Sequence, residues 1–211
     1  MEKIKKALAK FIFWAAYPVL RIIYPMTIHW EDKKATQAAL KGHCIIFSNH
    51  TGYVEGLFIT RLLHRYHVWT FVGKDWYDKR KINWLFRNLH YISIDRKGGM
   101  DTEWLDKATE RMNKGSSIYM LPEGHTSPVD QMDEFKPGFL VLAKQSGATL
   151  IPMYIDRKIK MFRHTGLVIG KPIYPDLFEK GRPSQVMKKH AESCRDAVIE
   201  LGKKLESGKI K

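Results

Sequence analysis

A histidine and a glutamate five residues apart, His50 and Glu55, carry the first chemistry visible in this chain. They lie in Ile45–Phe58, which reads IIFSNHTGYVEGLF. The apolar run Cys44–Phe47 stops at Ser48-Asn49-His50, a small-residue turn follows, and Glu55 opens a new apolar segment. This is the pattern of a buried strand that delivers a histidine to its C-terminal end, with a helix starting just beyond. Imidazole is the side chain best suited to general-base work near neutral pH. A carboxylate across a tight turn can accept from its other ring nitrogen and fix the tautomer. Taken alone, the same residues also fit a lone strand-end histidine and an ordinary first-turn glutamate favoured by the helix dipole.

Groups of this kind need a scaffold, and the rest of the chain supplies its pattern. Buried strands are predicted at Cys44–Ser48, His67–Gly73, His90–Ile94, Ser116–Leu121, Thr149–Ile155 and Thr165–Gly170, with Ile173-Tyr174-Pro175 closing the sheet. Helices are predicted over Glu55–Tyr66, Lys74–Leu89, Asp101–Lys114, Gly138–Ser146 and Pro183–Leu205. In the last, Met187, Ala191, Cys194, Val198, Leu201 and Leu205 recur in steps of four and three. Glu31–Gly42 reads as a short strand or loop. Alternating strands and helices imply an α/β fold with a central, largely parallel sheet flanked by helices. Chemistry in such sheets collects at the carboxyl ends of strands, and His50, Arg96 and Glu123 each fall at one.

Composition narrows the partners. The 211 residues suit one catalytic domain, taken as residues 31–211, behind an N-terminal segment of residues 1–30. The net charge of +14 survives 22 acidic residues, and six Trp, nine Tyr and ten Phe accompany it. Basic plus aromatic fits an anionic membrane surface at least as well as nucleic acid. The cations are scattered and carry no nucleic-acid-binding motif, so no nucleic-acid partner is expected. Cys44 and Cys194 lack ligand spacing and read as reduced thiols of a cytosolic protein. The histidines show no zinc pattern, so no metal is expected.

The first thirty residues begin basic and turn apolar and aromatic. No small-residue cleavage site follows, and the uninterrupted run Phe11–Leu20 is about half of what a bilayer span needs. One or two short interfacial helices are expected. In them Lys3, Lys5, Lys6, Lys10 and Arg21 would face anionic headgroups while Phe11, Phe13, Trp14 and Ile22 enter the acyl boundary. The alternative is a helix pair packed on the core. The interfacial reading implies a peripheral or monotopic protein on the cytoplasmic face of the membrane.

Four blocks taken in order, NHTGYVEG, YISIDR, LPEGHTS, and FKPG with IPMYI, resemble those of the lysophospholipid (glycerolipid) acyltransferases, the 1-acyl-glycerol-3-phosphate acyltransferases among them. The resemblance runs from about Cys44 to Ile173. It implies an O-acyltransferase of phospholipid biosynthesis that needs no cofactor. Such an enzyme moves a fatty acyl group from acyl-CoA or acyl carrier protein to a hydroxyl of a lipid acceptor. His50 takes the place of the family's base and Glu55 that of its orienting carboxylate, which is usually Asp. Arg96, Glu123, Gly124, His125 and Lys136 take the places of substrate-binding groups, Arg96 holding the acceptor phosphate through its planar fork. Pro152 belongs to a block that shapes the acyl pocket. Backbone N–H groups near Gly124, or at the helix beyond His50, are expected to serve the oxyanion.

The third block departs from Pro-Glu-Gly-Thr-Arg-Ser. His125 stands for the Thr and Thr126 for the Arg, which removes one cation usually directed at glycerol phosphate. A different head group, an amine acceptor and a catalytically silent lipid-binding relative therefore stay open. An esterase is disfavoured because no Gly-x-Ser-x-Gly elbow is present.

Overall fold

The computed structural model describes residues 2–52, 55–80, 83–95, 103–127 and 131–210. Arg96 lies outside them, as do the side chains of Lys3, Lys5, Lys6, Lys10 and Phe13. In chain order the elements are α1 (Glu2–Ile23), β1 (Met26–Trp30), α2 (Lys33–Ala39), β2 (Cys44–Ser48), α3 (Glu55–Leu62), β3 (Val68–Gly73), α4 (Lys74–Tyr77) and α5 (Asn83–Asn88). There follow β4 (Tyr91–Ile94), α6 (Glu103–Asn113), β5 (Ser117–Met120), α7 (Gly138–Ser146), β6 (Thr149–Ile155), β7 (Thr165–Ile169) and α8 (Pro183–Glu206).

The seven strands form one sheet in the order β1-β7-β6-β2-β5-β3-β4. Every pairing is parallel except β6 with β7. β2 is therefore the middle strand, and all five of its residues are buried. Its side chains alternate between faces. Ile45 and Phe47 join a core with α6, α7 and α8, while Cys44 and Ile46 join one with α3 and the end of α1. Full burial of each such side chain is worth about 1.5–3 kcal/mol. A strand buried on both faces has to read as the continuous apolar run seen here.

Two expectations for the N-terminal region are corrected. Met26–Trp30 is not part of a helical segment; it is strand β1, paired in parallel with β7 from Met26↔Thr165 to Trp30↔Ile169. Glu31–Gly42 holds helix α2, whose first turn is capped by the Asp32 side chain accepting from the Ala35 N–H at 2.9 Å. Lys74–Leu89 is two short helices, α4 and α5. The remaining strands and helices agree with the sequence reading to within one or two residues, apart from a 3₁₀ turn at His64–Tyr66 and from Ile173, which forms an isolated bridge to Leu150 and no strand.

α1 is one continuous helix with Pro18 inside it. One side packs on the domain: Ala9 is buried against Leu89 and Tyr91, and Leu20 and Tyr24 against the core beneath α3. Arg61 of α3 stacks under the Trp14 and Tyr17 rings at 3.6 and 4.0 Å. The other side is an exposed apolar stripe of Ile4, Leu8, Phe11, Val19 and Ile22. α1 thus packs against the core on one side and bares apolar surface on the other.

Candidate active site

The turn after β2 is held from three sides. The Asn49 side chain prolongs the sheet beyond the last backbone pair, its amide donating to Ile155 O and accepting from Ile155 N–H, both at 2.9 Å. Tyr119 donates to Ser48 Oγ at 2.7 Å, and Ser48 in turn to Asn49 O at 2.9 Å. Burial first, and the Glu55 carboxylate second, push the Tyr119 phenol well above its usual range, so it stays protonated. The His50 carbonyl accepts from Ser127 N–H at 2.9 Å.

On this turn His50 is 5 % exposed and Glu55 fully buried. His50 Nδ1 lies 2.7 Å from Glu55 Oε2. The other carboxylate oxygen accepts from the Thr51 N–H at 2.6 Å and from the Thr51 hydroxyl. With Nδ1–H donating to a carboxylate, the neutral ring carries its lone pair on Nε2, and the ring lines the adjoining cavity. An imidazole oriented in this way can take a proton from a substrate hydroxyl.

Glu123, expected to bind substrate, has its carboxylate engaged by the main chain. It is 1 % exposed. Oε1 accepts from the His50 N–H at 2.7 Å and Oε2 from the Asp133 N–H at 3.0 Å. Its carboxylate ties the His50 turn to the segment after β5. His125 is not among the residues that line the cavity beside His50: its side chain is 59 % exposed and pairs through Nε2 with Asp133 Oδ2 at 2.7 Å. That bond, and a second from Ser127 Oγ at 2.9 Å, hold the Asp133 carboxyl below its usual range. Gly124 N–H, one of the expected oxyanion donors, is already engaged with Leu121 O at 3.0 Å, and Thr51 N–H with Glu55.

Gly124 and Lys136 do reach the cavity. It measures about 410 Å³ and runs from His50 over the ends of β3, β4 and β5 to α6 and α7. Phe71, Ile94, Trp104, Met120, Leu121 and Phe139 give it an apolar floor, with Lys136, Asp95 and Thr70 among its polar groups. A hydrocarbon chain fits such a floor, and an anionic group fits Lys136. Gly124 adopts φ +77°, and a Cβ there would stand 2.8 Å from Lys136 Nζ. Gly124→Ala is expected to cost about 1 kcal/mol of stability for its left-handed backbone. It is also expected to push the ammonium aside, raising KM for an anionic substrate more than it lowers kcat in steady-state assays.

Thr51, Asn49 and Asp133 were not singled out from the sequence. Asn49 and Thr51 flank His50, which was a usable signal. Asp133 carried none, because its partners Glu123, His125 and Ser127 meet it only in the folded chain.

The comparisons with known proteins bear on this geometry. A family model described as Acyltransferase matches residues 27–156, more than half of the chain. The 1-acyl-sn-glycerol-3-phosphate acyltransferase of Limnanthes douglasii is 28 % identical over 141 residues, covering 63 % of this chain and 46 % of the relative. That of Limnanthes alba is 28 % identical over 123 residues, 54 % of this chain and 41 % of the relative. The chain thus spans about half the length of the relatives it matches. The crystal structure of the 1-acyl-sn-glycerophosphate acyltransferase PlsC from Thermotoga maritima superposes with a TM-score of 0.58 at 20 % identity. It covers 95 % of this chain and 79 % of that one, a likeness of fold. On the extent of the family match, this chain belongs to the acyltransferase family.

Proposed function

We propose that the chain transfers a fatty acyl group from an acyl thioester, acyl-CoA or acyl carrier protein, to a hydroxyl of a lysophospholipid or related glycerolipid, with His50 as general base. The observation that carries this reading is the buried His50–Glu55 pair, of which His50 lines a cavity with an apolar floor and a lysine. In the reaction His50 Nε2 takes the hydroxyl proton as the oxygen attacks the thioester carbon. The tetrahedral intermediate then expels the thiolate, which receives that proton from the imidazolium. Glu55 steadies the cation formed in between. The 1-acyl-sn-glycerol-3-phosphate acyltransferases among the relatives favour a phosphate-bearing acceptor, for which Arg96 and Lys136 are the cations.

The experiment is thiol release from palmitoyl-CoA and from acyl carrier protein in mixed micelles, beside His50→Ala. The acceptors are lysophosphatidate, lysophosphatidylglycerol, lysophosphatidylcholine and an amine lipid. His50-dependent release with lysophosphatidate is expected. Release confined to another acceptor would make Thr126 the mark of a different head group, and silence with every donor would sink the catalytic reading.

We further propose peripheral attachment through α1. No described helix is long and apolar enough to cross a membrane, and the stripe Ile4, Leu8, Phe11, Val19 and Ile22 lies open along one side of a helix that begins in a lysine-rich stretch. Co-sedimentation with anionic vesicles is the check.

A further inference from the structure

The nine-residue connection between β6 and β7, residues 156–164, has a construction that its role as a link leaves unexplained. Ile159 is buried in the core beneath α3 and fixes the middle of the connection. Beyond it the chain folds into a tight turn closed by Arg163 N–H donating to Lys160 O at 3.3 Å. Met161 and Phe162 form the tip, 56 % and 75 % exposed. Phe162 has φ +56°, a left-handed backbone that a bulky side chain adopts at a steric cost. A large aromatic residue that is both strained and bare contributes little to folding.

The tip is also fixed in place. Phe162 N–H donates to Ile23 O at 2.6 Å and Thr165 N–H to Pro25 O at 3.0 Å, so it abuts the last turn of α1, where Ile22 is equally bare. Around it stand Arg157, Lys158, Lys160 and Arg163, all exposed. The single acid of the connection, Asp156, lies 3.2 Å from Arg157 Nε, which leaves the cations in excess. A second copy of this chain would present the same cations and be repelled. An anionic lipid surface neutralises the collar and takes up the apolar tip.

The position matters as much as the chemistry. β6 runs parallel to β2, so the connection leaves the sheet at the edge where His50 sits. The Lys158 stem packs on Gly52, 3.3 Å from where a Cβ would stand, two residues past His50.

We propose that the β6–β7 turn is a second membrane-contacting element, with Met161 and Phe162 entering an anionic bilayer and its basic collar on the headgroups beside the active-site turn. The proposal rests on the interfacial reading of α1 and is independent of the acyl-transfer chemistry.

The test places a fluorophore on the tip. Phe162→Cys can be labelled selectively with an environment-sensitive dye, because Cys44 and Cys194 are buried and burial pushes their thiols up to about 11 and about 12. Vesicles of phosphatidylcholine with phosphatidylglycerol should shift the dye to the blue, and acyl-chain nitroxides should quench it. Pure phosphatidylcholine should do neither. Met161→Ser with Phe162→Ser should lower the vesicle partition constant about tenfold, as should Phe11→Ser with Ile22→Ser in α1, without moving the thermal transition. A dye that stays in water while the chain co-sediments would overturn the turn as a contact and leave α1 standing. Failure to co-sediment at all would overturn both, and equal shifts on neutral vesicles would overturn the role of the collar. None of these readouts involves turnover, so the catalytic reading is tested separately.

Discussion

His50→Ala should lower kcat for acyl transfer by roughly 10²- to 10⁴-fold, the span of a positioned general base, with KM little changed. The argument rests on what remains when the ring is gone. The cavity floor of Phe71, Trp104 and Phe139 and the cation Lys136 stay in place, so binding of both substrates persists. Only the acceptor for the hydroxyl proton is lost. Glu55→Gln should follow the same pattern with a smaller fall. Its amide oxygen can still accept from His50 Nδ1, but the charge that steadies the imidazolium is gone, and the amide NH₂ then faces the two donors of Thr51. The double variant should be no slower than His50→Ala alone, because the two side chains act as one device. Steady-state kinetics on the three proteins decides it. Additive losses would mean that Glu55 acts on something other than His50.

The second large effect is expected at a residue whose carboxylate is engaged by main-chain N–H groups. Glu123→Ala removes the acceptor of two backbone N–H groups, those of His50 and Asp133, and leaves them in a site sealed by a side chain 1 % exposed. Each stranded donor costs about 1–3 kcal/mol. Urea unfolding should therefore show a loss of about 2–6 kcal/mol, and activity should fall because His50 is no longer held from its own backbone. Glu123→Gln should not restore the parent. A carboxylate offers an oxygen to each N–H, whereas an amide offers one oxygen and turns its NH₂ towards the other donor. If Glu123→Gln kept full stability, one of the two hydrogen bonds would be dispensable.

These two residues show how far the sequence could be read. His50 and Glu55 were legible because their contact is local: five residues and one turn set it. Glu123 was legible as a site residue but its hydrogen bonds were not, since its partners are main-chain groups 73 and 10 residues away that no pattern of side chains announces. Asn49 was missed for the same reason, its partner Ile155 lying 106 residues on. His125 was expected at the substrate and is occupied instead by Asp133, a pairing that the connection 122–136 creates only once it folds.

The same division runs through the fold. A strand buried on both faces such as β2 reads as an apolar run, Cys44 to Phe47. β1 did not, because MTIHW follows the apolar helix without a change in character, and it is an edge strand whose partner begins at Thr165. α2 escaped notice as a seven-residue helix that buries only Thr36, although its Asp32 cap three residues before Ala35 was there to be seen.

The central place of β2 has a consequence for the time domain. Opening of a sheet proceeds from its margins, where β1 and β4 each have a single neighbour, and reaches the middle strand last. Deuterium uptake should therefore run fast at those margins. The amides of Ile45 to Phe47, and that of His50 behind Glu123, should exchange only as the whole molecule unfolds. The His50–Glu55 pair is anchored to the slowest part of the protein, so under the proposed acyl transfer the movement that admits and releases substrates has to come from the loops around the site and leave its floor still.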